Sequence, residues 1–160
     1  MEYPVIREMF KGETPKSVFE VGCANGGLLH DVTQKGELVV GGLDQHESDL
    51  GRAKALFPTY ARNFFVHDMN HVPWPIKDKE YDIAFTVGTL FYAEKPQVIL
   101  QEMCRIACKV MIAEPSQDDT GTDHHGTRHH YDYQKILEEM GGKIEFLGLV
   151  AKKYIYKYTP

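Results

Sequence analysis

The chain has few cysteines and no long apolar run, and both shortages exclude whole classes of protein. Its 160 residues include only three cysteines, Cys23, Cys104 and Cys108, which is unlike the disulfide framework of a small secreted domain. No stretch approaches the roughly 20 consecutive apolar residues of a membrane span, and the N-terminus lacks the basic-then-apolar pattern of a secretory signal. We therefore expect reduced thiols, a cytoplasmic location and no membrane association.

Positive charge is also scarce. Eighteen Lys and Arg residues stand against 23 Asp and Glu, for a net charge of -5. This balance disfavours tight, salt-sensitive binding to phosphates, and so it argues against RNA or DNA substrates. At this length we expect one domain over residues 1–160, with 1–16 as a short N-terminal segment, so that one core serves both cofactor and substrate.

A metal centre is not expected. Cys104 and Cys108 are four residues apart on a predicted helix, whereas a typical zinc knuckle has a gap of two residues. Packing in the core accounts for both thiols. A cluster with nearby histidines is the alternative that the spacing disfavours.

Apolar runs bounded by Gly, Pro and Asp alternate with segments of helical period along most of the chain. Such alternation predicts an α/β protein with a Rossmann-like, doubly wound sheet whose parallel strands are covered on both faces. The five predicted parallel strands are Ser17–Val21, Glu37–Leu43, Asn63–Val66, Tyr81–Val87 and Lys109–Ala113.

The end of the chain predicts a different connection. Two further strands, Ile144–Val150 and Tyr154–Tyr158, are joined by three residues only. A parallel crossover needs about a dozen residues, so these two strands must form an antiparallel hairpin. A dinucleotide-binding domain would instead continue into a second βαβ half. The predicted strand order is 3-2-1-4-5-7-6.

A glycine-rich turn follows the first strand, within the segment from Val18 to Gly27. Gly22 and Gly26 stand where a buried strand turns sharply into a helix, and there the absence of a side chain lets a ligand approach the backbone. Glu20 ends the strand beside this turn, and Asn25 can cap the helix. A turn of this kind by itself is equally compatible with tight packing.

Acidic residues follow the next two strands. Asp44 comes after the second strand, where an acidic side chain in such folds accepts hydrogen bonds from ribose hydroxyls, although a turn or capping aspartate is an equal alternative. Asp68 follows the third strand. Ligands bind along the carboxyl edge of open α/β sheets, so we expect Glu20, Asp44 and Asp68 to converge there.

With these residues the stretch from Val18 to Pro115 resembles the small class I S-adenosylmethionine-dependent methyltransferases of the type 11 group. The similarity lies in the Glu20–Gly26 turn, in Asp44 and Asp68, and in the segment Val72–Pro75 followed by Tyr81 and Asp82. Ala24 departs from the pattern, since the family more often has glycine there. The resemblance also implies a structural pair between Glu102 and Arg105.

The resemblance implies S-adenosylmethionine as the cofactor and assigns a set of residues to it. The turn would cradle the methionine portion, Asp44 the ribose and Asp68 the adenine amine, while Thr86 and Val87 would line the methionine end. The implied cofactor residues are Glu20, Gly22, Cys23, Asn25, Gly26, Asp44, Gln45, Asp68, Met69, Thr86 and Val87.

Candidate catalytic residues lie in an irregular stretch after the fifth strand. Methyl transfer needs positioning above all and, for a poor nucleophile, removal of a proton. The candidates are His124, His125, Arg128, His129, His130 and Tyr131. One histidine, with His124 and His129 preferred, would act as the base, and Arg128 would hold an anionic group of a small-molecule or peptide substrate. Alternatively, the stretch is a solvated connection that leads into the next helix.

Several alternatives remain open from the residues alone. The short N-terminus suits a non-catalytic scaffold or a protein whose pocket is completed by a partner subunit, and a nicotinamide oxidoreductase shares the turn and the ribose aspartate. Trp74 would either pack over the adenine or anchor its loop. Tyr154, Tyr156 and Tyr158 share one face of the last strand, which would cover either a helix or a homodimer contact.

Overall fold

The strands form one seven-stranded sheet at the centre of the protein. The computed structural model describes residues 3–34, 36–115, 121–123 and 125–160. In the order β3-β2-β1-β4-β5-β9-β8, the first five strands are parallel and β9 runs antiparallel to both of its neighbours. The sheet contains β1 (Ser17–Val21), β2 (Val39–Asp44), β3 (Phe64–Val66), β4 (Tyr81–Val87), β5 (Ala107–Pro115), β8 (Lys143–Val150) and β9 (Lys153–Thr159). This confirms the predicted fold class and strand order.

Helices cover both faces of the sheet. One face carries α1 (Pro4–Met9), α2 (Gly27–Thr33) and α3 (Glu47–Leu56), and the other carries α4 (Pro96–Ile106) and α5 (Tyr133–Met140). Short 3-10 turns occupy Pro58–Asn63 and Leu90–Tyr92. Each face buries its own apolar cluster, as a doubly wound sheet requires. No helix within the described ranges is long and apolar enough to cross a membrane.

The central strands are apolar on both sides because both faces are covered. In β4, Ile83 and Phe85 belong to the cluster under α1 to α3, and Ala84 belongs to the cluster under α4 and α5. The face of β9 that carries the tyrosines packs against the apolar cluster under α4 and α5, where Tyr156 and Tyr158 are buried with the residues of α5. These tyrosines therefore cover the protein's own helix layer.

An ionic cluster joins the N-terminal segment to the far strands. Glu13, which follows α1, accepts bonds from the ammonium groups of Lys109 on β5 at 2.7 Å and Lys157 on β9 at 2.9 Å. Burial raises the pKa of Glu13, but the two lysines outweigh it and hold that pKa below its ordinary value. Because Val5 and Ile6 are fully buried, α1 is part of the core.

A second, smaller sheet was not predicted. Strands β6 (Gly121–Asp123) and β7 (Gly126–Arg128) form an antiparallel hairpin, here called the β6–β7 hairpin, within the stretch expected to be irregular. Strands of three residues are too short to show alternation, which explains the miss. Helix α3 has His46 as its N-cap.

Candidate functional site

A cavity of about 590 Å³ lies at the carboxyl ends of β1, β2, β3 and β4. This is the edge at which open α/β sheets bind their ligands, and its volume falls in the range of about 300 to 1,000 Å³ of small-molecule sites. Nine of the predicted cofactor residues line it: Glu20, Gly22, Cys23, Asn25, Asp44, Gln45, Asp68, Met69 and Val87.

The glycine turn, Gly22–Gly27, is held against the end of β2. The N–H groups of Gly22 and Cys23 both donate to the carbonyl oxygen of Leu43, at 2.9 and 3.0 Å. Gly22 has a φ of +73°, and a Cβ placed there would lie 2.4 Å from Oγ1 of Thr89. Only glycine satisfies both constraints, so the turn and the chain after β4 close on each other directly.

Asp44 connects the glycine turn to the beginning of α3. Its Oδ2 accepts the N–H of Ala24 at 2.9 Å, and its Oδ1 accepts the N–H of His46 at 2.9 Å. The His46 Nδ1 lies 3.0 Å from the same Oδ1. The turn-forming alternative for Asp44 is thus observed, and the same carboxylate borders the cavity.

Glu20 is a buried carboxyl group at the floor of the cavity. It is 2 % exposed, and its Oε2 has no hydrogen-bond partner among the described residues. Burial, with a further contribution from the Asp44 charge, raises the pKa of Glu20 well above its ordinary value. A buried polar atom without a partner is costly, so this oxygen is available to a bound ligand that donates a hydrogen bond.

Asp68 and Met69 form the wall below β3. Oδ1 of Asp68 accepts the N–H of Asn70 at 2.9 Å, and its side chain is 39 % exposed. The carbonyl oxygen of Met69 accepts the indole N–H of Trp74 at 3.0 Å. Trp74 is buried in the core outside the cavity lining. Of its two alternatives, the loop anchor is therefore the one observed.

An ion pair fixes the loop that carries Trp74. Arg105 donates from Nη2 to Oε1 of Glu102 at 2.6 Å and to the carbonyl oxygen of Trp74 at 3.1 Å, and the N–H of Trp74 donates to Glu102 at 2.7 Å. Burial raises the pKa of Glu102, but the bonds from Arg105 and Trp74 outweigh it, and the net pKa is lowered. The implied pair of Glu102 and Arg105 thus supports the cavity wall from outside.

Negative charge dominates the cavity. Five carboxyl groups line it, and no Lys or Arg does so in the part of the chain that the structure describes. Such a lining favours a cation and disfavours an anionic ligand. The five are Glu20, Asp31, Asp44, Asp49 and Asp68.

Two of the predicted cofactor residues lie outside the cavity lining. Gly26 packs against α3, where an added Cβ would approach Phe57 and Ala53 to 3.2 and 3.3 Å. Thr86 is fully buried within the sheet. Because a strand buried on both faces is apolar throughout, its sequence does not reveal which residues are turned to the ligand edge.

Of the predicted catalytic residues, His125 lines the cavity, whereas Arg128 and His129 do not. Arg128 of β7 pairs with Asp123, its Nε lying 3.6 Å from Oδ2, and the exposed His129 donates its backbone N–H to the carbonyl oxygen of Phe91 at 2.7 Å. Neither residue is part of the cavity lining, whereas the neighbouring His125 is. His124 lies outside the described residues.

Hydrogen bonds from Tyr92 and Gln45 attach the β6–β7 hairpin to the cavity rim. The hydroxyl of Tyr92 donates to Oδ2 of Asp123 at 2.8 Å, and Nε2 of Gln45 donates to the carbonyl oxygen of His125 at 3.4 Å. The rings of His125 and His46 meet edge to face with centroids 5.1 Å apart. The hairpin thus covers part of the opening with imidazole and phenol rings.

Several lining residues were missed by the sequence reasoning. Tyr3 reaches the cavity because its N–H donates to Oδ2 of Asp31 on α2 at 2.9 Å, a contact across 28 residues that no local pattern reveals. His46 directly follows the predicted pair Asp44 and Gln45, so its position was within reach of the same argument. Tyr92 had no signal beyond its place after β4.

Comparison with known proteins settles the family. The family model described as "Methyltransferase domain" matches residues 19–109, more than half of the chain and nearly all of the cavity edge. The chain belongs to this S-adenosylmethionine-dependent methyltransferase family. The match decides against the nicotinamide oxidoreductase alternative, and it implies S-adenosylmethionine as the cofactor. A search of curated proteins gave no match.

Solved methyltransferase structures share the fold. A methyltransferase in complex with the Haloferax volcanii Trm112 methyltransferase activator is 17 % identical with a TM-score of 0.72, over 90 % of this chain and 82 % of its own. An S-adenosylmethionine-dependent methyltransferase from Mesorhizobium loti is 14 % identical with a TM-score of 0.74, over 98 % and 96 %. The plantazolicin methyltransferase BpumL, in complex with SAH, is 13 % identical with a TM-score of 0.69, over 96 % and 79 %.

Proposed function

We propose that this methyltransferase domain is catalytically active, and that it methylates a neutral or cationic group of a small molecule or an exposed peptide. The observation that carries the proposal is the position of Asp44, which binds the glycine turn and faces the same cavity as Glu20 and Asp68. S-adenosylmethionine supplies an electrophilic methyl group on a sulfonium cation, and this cavity offers carboxylates to a cation.

Different residues of the chain would bind different parts of the cofactor. Asp44 has two carboxylate oxygens at the end of β2, which suit the hydroxyls of a ribose. The Gly22 turn leaves backbone free of side chains for the methionine portion, and Asp68 with Met69 would flank the adenine. Glu20, whose Oε2 has no partner among the described residues, supplies a buried acceptor to an ammonium or hydroxyl donor.

The acceptor end of the cavity is formed by residues after β4 and by the β6–β7 hairpin. Tyr92 and His125 line this end, and their rings, which contact each other with centroids 5.9 Å apart, together present an aromatic surface to a flat or cationic group. His125 is within reach as a proton acceptor for a nucleophile that must lose a proton. Catalysis here depends chiefly on orientation in a partly enclosed site.

The cofactor assignment is tested by isothermal titration with S-adenosylhomocysteine. We expect binding by the wild type and a loss of at least about tenfold in Asp44→Asn, because hydrogen bonds to charged groups contribute about 1.5 to 3 kcal/mol. Asp82→Asn is the matched control: Asp82 also accepts backbone N–H groups, from Lys16 and Ser17, but lies outside the cavity lining. Equal affinity of Asp44→Asn and wild type would contradict the assignment.

Catalysis requires a separate measurement. Transfer of a labelled methyl group from S-adenosylmethionine to fractions of a metabolite extract should favour molecules retained on a cation exchanger over those retained on an anion exchanger. Product found only in the anionic fraction contradicts the proposed acceptor class. No product in any fraction, despite cofactor binding, contradicts activity of the isolated chain.

A partner-dependent enzyme is the second candidate. One methyltransferase of the same fold forms a complex with an activator protein, and the opening of the present cavity is covered only in part. For a partner-dependent protein, the titration would give weak binding for the isolated chain and tighter binding after co-purification with an activator subunit. Full binding and transfer by the isolated chain exclude this candidate.

A further inference from the structure

Glu114 is a fully buried carboxyl group outside the site described above. It lies at the carboxyl end of β5, is 0 % exposed, and does not line the cavity. Charged residues are rarely buried to this degree unless their oxygens are bonded. The groups that contact its carboxylate therefore indicate the role of Glu114.

The carboxylate of Glu114 accepts hydrogen bonds from the start of the loop that follows β4. This loop, residues 88–92, is here called the β4 loop. The N–H of Thr89 donates to Oε1 at 3.2 Å, and the N–H groups of Leu90 and Phe91 face the same carboxylate. These three donors stand at the start of the 3-10 turn, where no intrahelical acceptor is available. Glu114 thus caps the turn from a neighbouring strand.

The β4 loop is a wall of the cofactor cavity. Gly88, Thr89 and Tyr92 line the cavity. Thr89 is also the residue that packs into the space left by Gly22, and Tyr92 holds the β6–β7 hairpin through Asp123. A residue that fixes the start of this loop therefore fixes the distance between the glycine turn and the hairpin.

We propose that Glu114 is a positioning residue of the methyltransferase site, whose ionised carboxylate holds the β4 loop in the geometry that binds the cofactor. The proposal rests on the proposed function, because it assumes that the cavity is the cofactor site. Glu114 acts through Thr89 and its neighbours and does not itself reach the ligand.

The groups around Glu114 make its charge responsive to pH. Burial raises its pKa to about 7, against the lowering effect of the three N–H groups and of Lys153 on β9. Lys153 lies over the loop, its Nζ about 3.0 Å from the position of a Cβ at Gly88. Tyr133 of α5 interacts with the charge of Glu114 from the other side. Protonation of Glu114 weakens bonds that are stronger to an ionised acceptor.

The test compares Glu114→Gln with wild type in titrations with S-adenosylhomocysteine at about pH 6 and about pH 8. The two proteins should bind within about twofold of each other at the lower pH, because both side chains are then neutral. At the higher pH we expect the variant to bind about tenfold more weakly, as charged hydrogen bonds exceed neutral ones. The other titrating groups of the cavity are common to both proteins and cancel in the ratio.

Tyr133→Phe serves as the control. It removes a buried hydroxyl that has no hydrogen-bond partner among the described residues and keeps the carboxylate. It should therefore leave thermal stability unchanged or slightly raised while preserving the pH dependence of binding. Equal affinity of Glu114→Gln and wild type at both pH values overturns the proposal, and so does an equal loss at both, which would indicate a structural role only.

A measurement on the wild type alone covers the case in which Glu114→Gln does not fold. Protection of the amides of Thr89, Leu90 and Phe91 against hydrogen exchange, corrected for intrinsic rates, should rise as the pH passes through about 7. Constant protection overturns the proposal. Absence of S-adenosylhomocysteine binding by the wild type removes the cofactor assignment instead, and the amide profile still reports on Glu114.

Discussion

The backbone N–H of Ala24 donates to Oδ2 of Asp44 at 2.9 Å while Ala24 is held at a φ of +42°. An L-residue with a Cβ pays about 1 kcal/mol or more in this left-handed region, and glycine does not. The position is the one at which the chain departs from the glycine common in its family. The contact with Asp44 therefore compensates for a strained residue at the centre of the glycine turn.

Ala24→Gly should stabilise the protein. The strain energy released in the folded state exceeds the free-energy cost of the greater conformational entropy that glycine gives the unfolded chain. We therefore expect a gain of roughly 0.5 to 1 kcal/mol in the free energy of unfolding. Urea denaturation measures it. Gly12, which has a φ of +75° and open space around it, provides the reverse control, since Gly12→Ala should destabilise. A loss of stability in Ala24→Gly would show that the strain is not real.

Arg105→Met should destabilise the loop that carries Trp74. The variant leaves Glu102, only 8 % exposed, without its ionic partner, and such a loss costs about 2 to 4 kcal/mol. The double variant Glu102→Gln with Arg105→Met should recover part of this loss, because no buried charge is then left unpaired. Thermal unfolding of the two variants measures the difference, and equal stability of both would contradict the pairing.

Stability should fall as the pH rises from mildly acid to neutral. The folded-state pKa values of Glu20 and Glu114 are raised above the ordinary value of 4.5, to about 7 for Glu114. The contribution of Glu114 is therefore fully present below about pH 4.5 and is lost as the pH rises through about 7, and the contribution of Glu20 is likewise lost as the pH rises. The lowered pKa values of Glu13 and Glu102 act at the acid end of the range, where stability is lost as the pH falls.

Urea unfolding at about pH 5 and about pH 8 measures this dependence. Glu114→Gln has no charge to develop at that position, so its loss of stability over the same range should be smaller than that of wild type by roughly 2 to 3 kcal/mol. Parallel losses in the two proteins would show that Glu114 does not titrate in this range.

Tyr92→Phe should loosen the β6–β7 hairpin. The variant removes the hydroxyl that donates to Asp123 and leaves the ring and the cavity wall in place. We expect faster amide exchange in Gly126–Arg128 and a several-fold faster release of S-adenosylhomocysteine, with a small change in global stability. Tyr131→Phe, whose hydroxyl donates to the carbonyl oxygen of Ala93 outside the cavity lining, is the matched control.

Much of the fold follows from short-range patterns in the sequence. The largely apolar run Val18–Val21 is followed by Gly22, and the apolar run Ile83–Phe85 is preceded by Asp82, which is sufficient to place buried parallel strands. The link of three residues before β9 excludes a crossover and forces the terminal hairpin. These arguments need only chain geometry, and the structure confirms them.

The parts that were missed depend on contacts between distant segments. The β6–β7 hairpin has strands too short for any periodicity, and it is held by Tyr92 and Gln45 from other loops. In the sequence Glu114 is only a residue near the end of a strand, because its three backbone donors come from a different loop. His129 and Arg128 were placed near the substrate by their position after β5, but the hairpin turns them away from the cavity.

The ionic cluster at Glu13 has a consequence for the order in which the protein matures. Glu13 and Lys157 are 144 positions apart in the chain, so the segment after α1, made early in synthesis, receives one of its charge partners only when β9 has emerged from the ribosome. The ionic cluster that ties the N-terminal segment to the sheet should therefore be completed late in translation, after the last strand is in place.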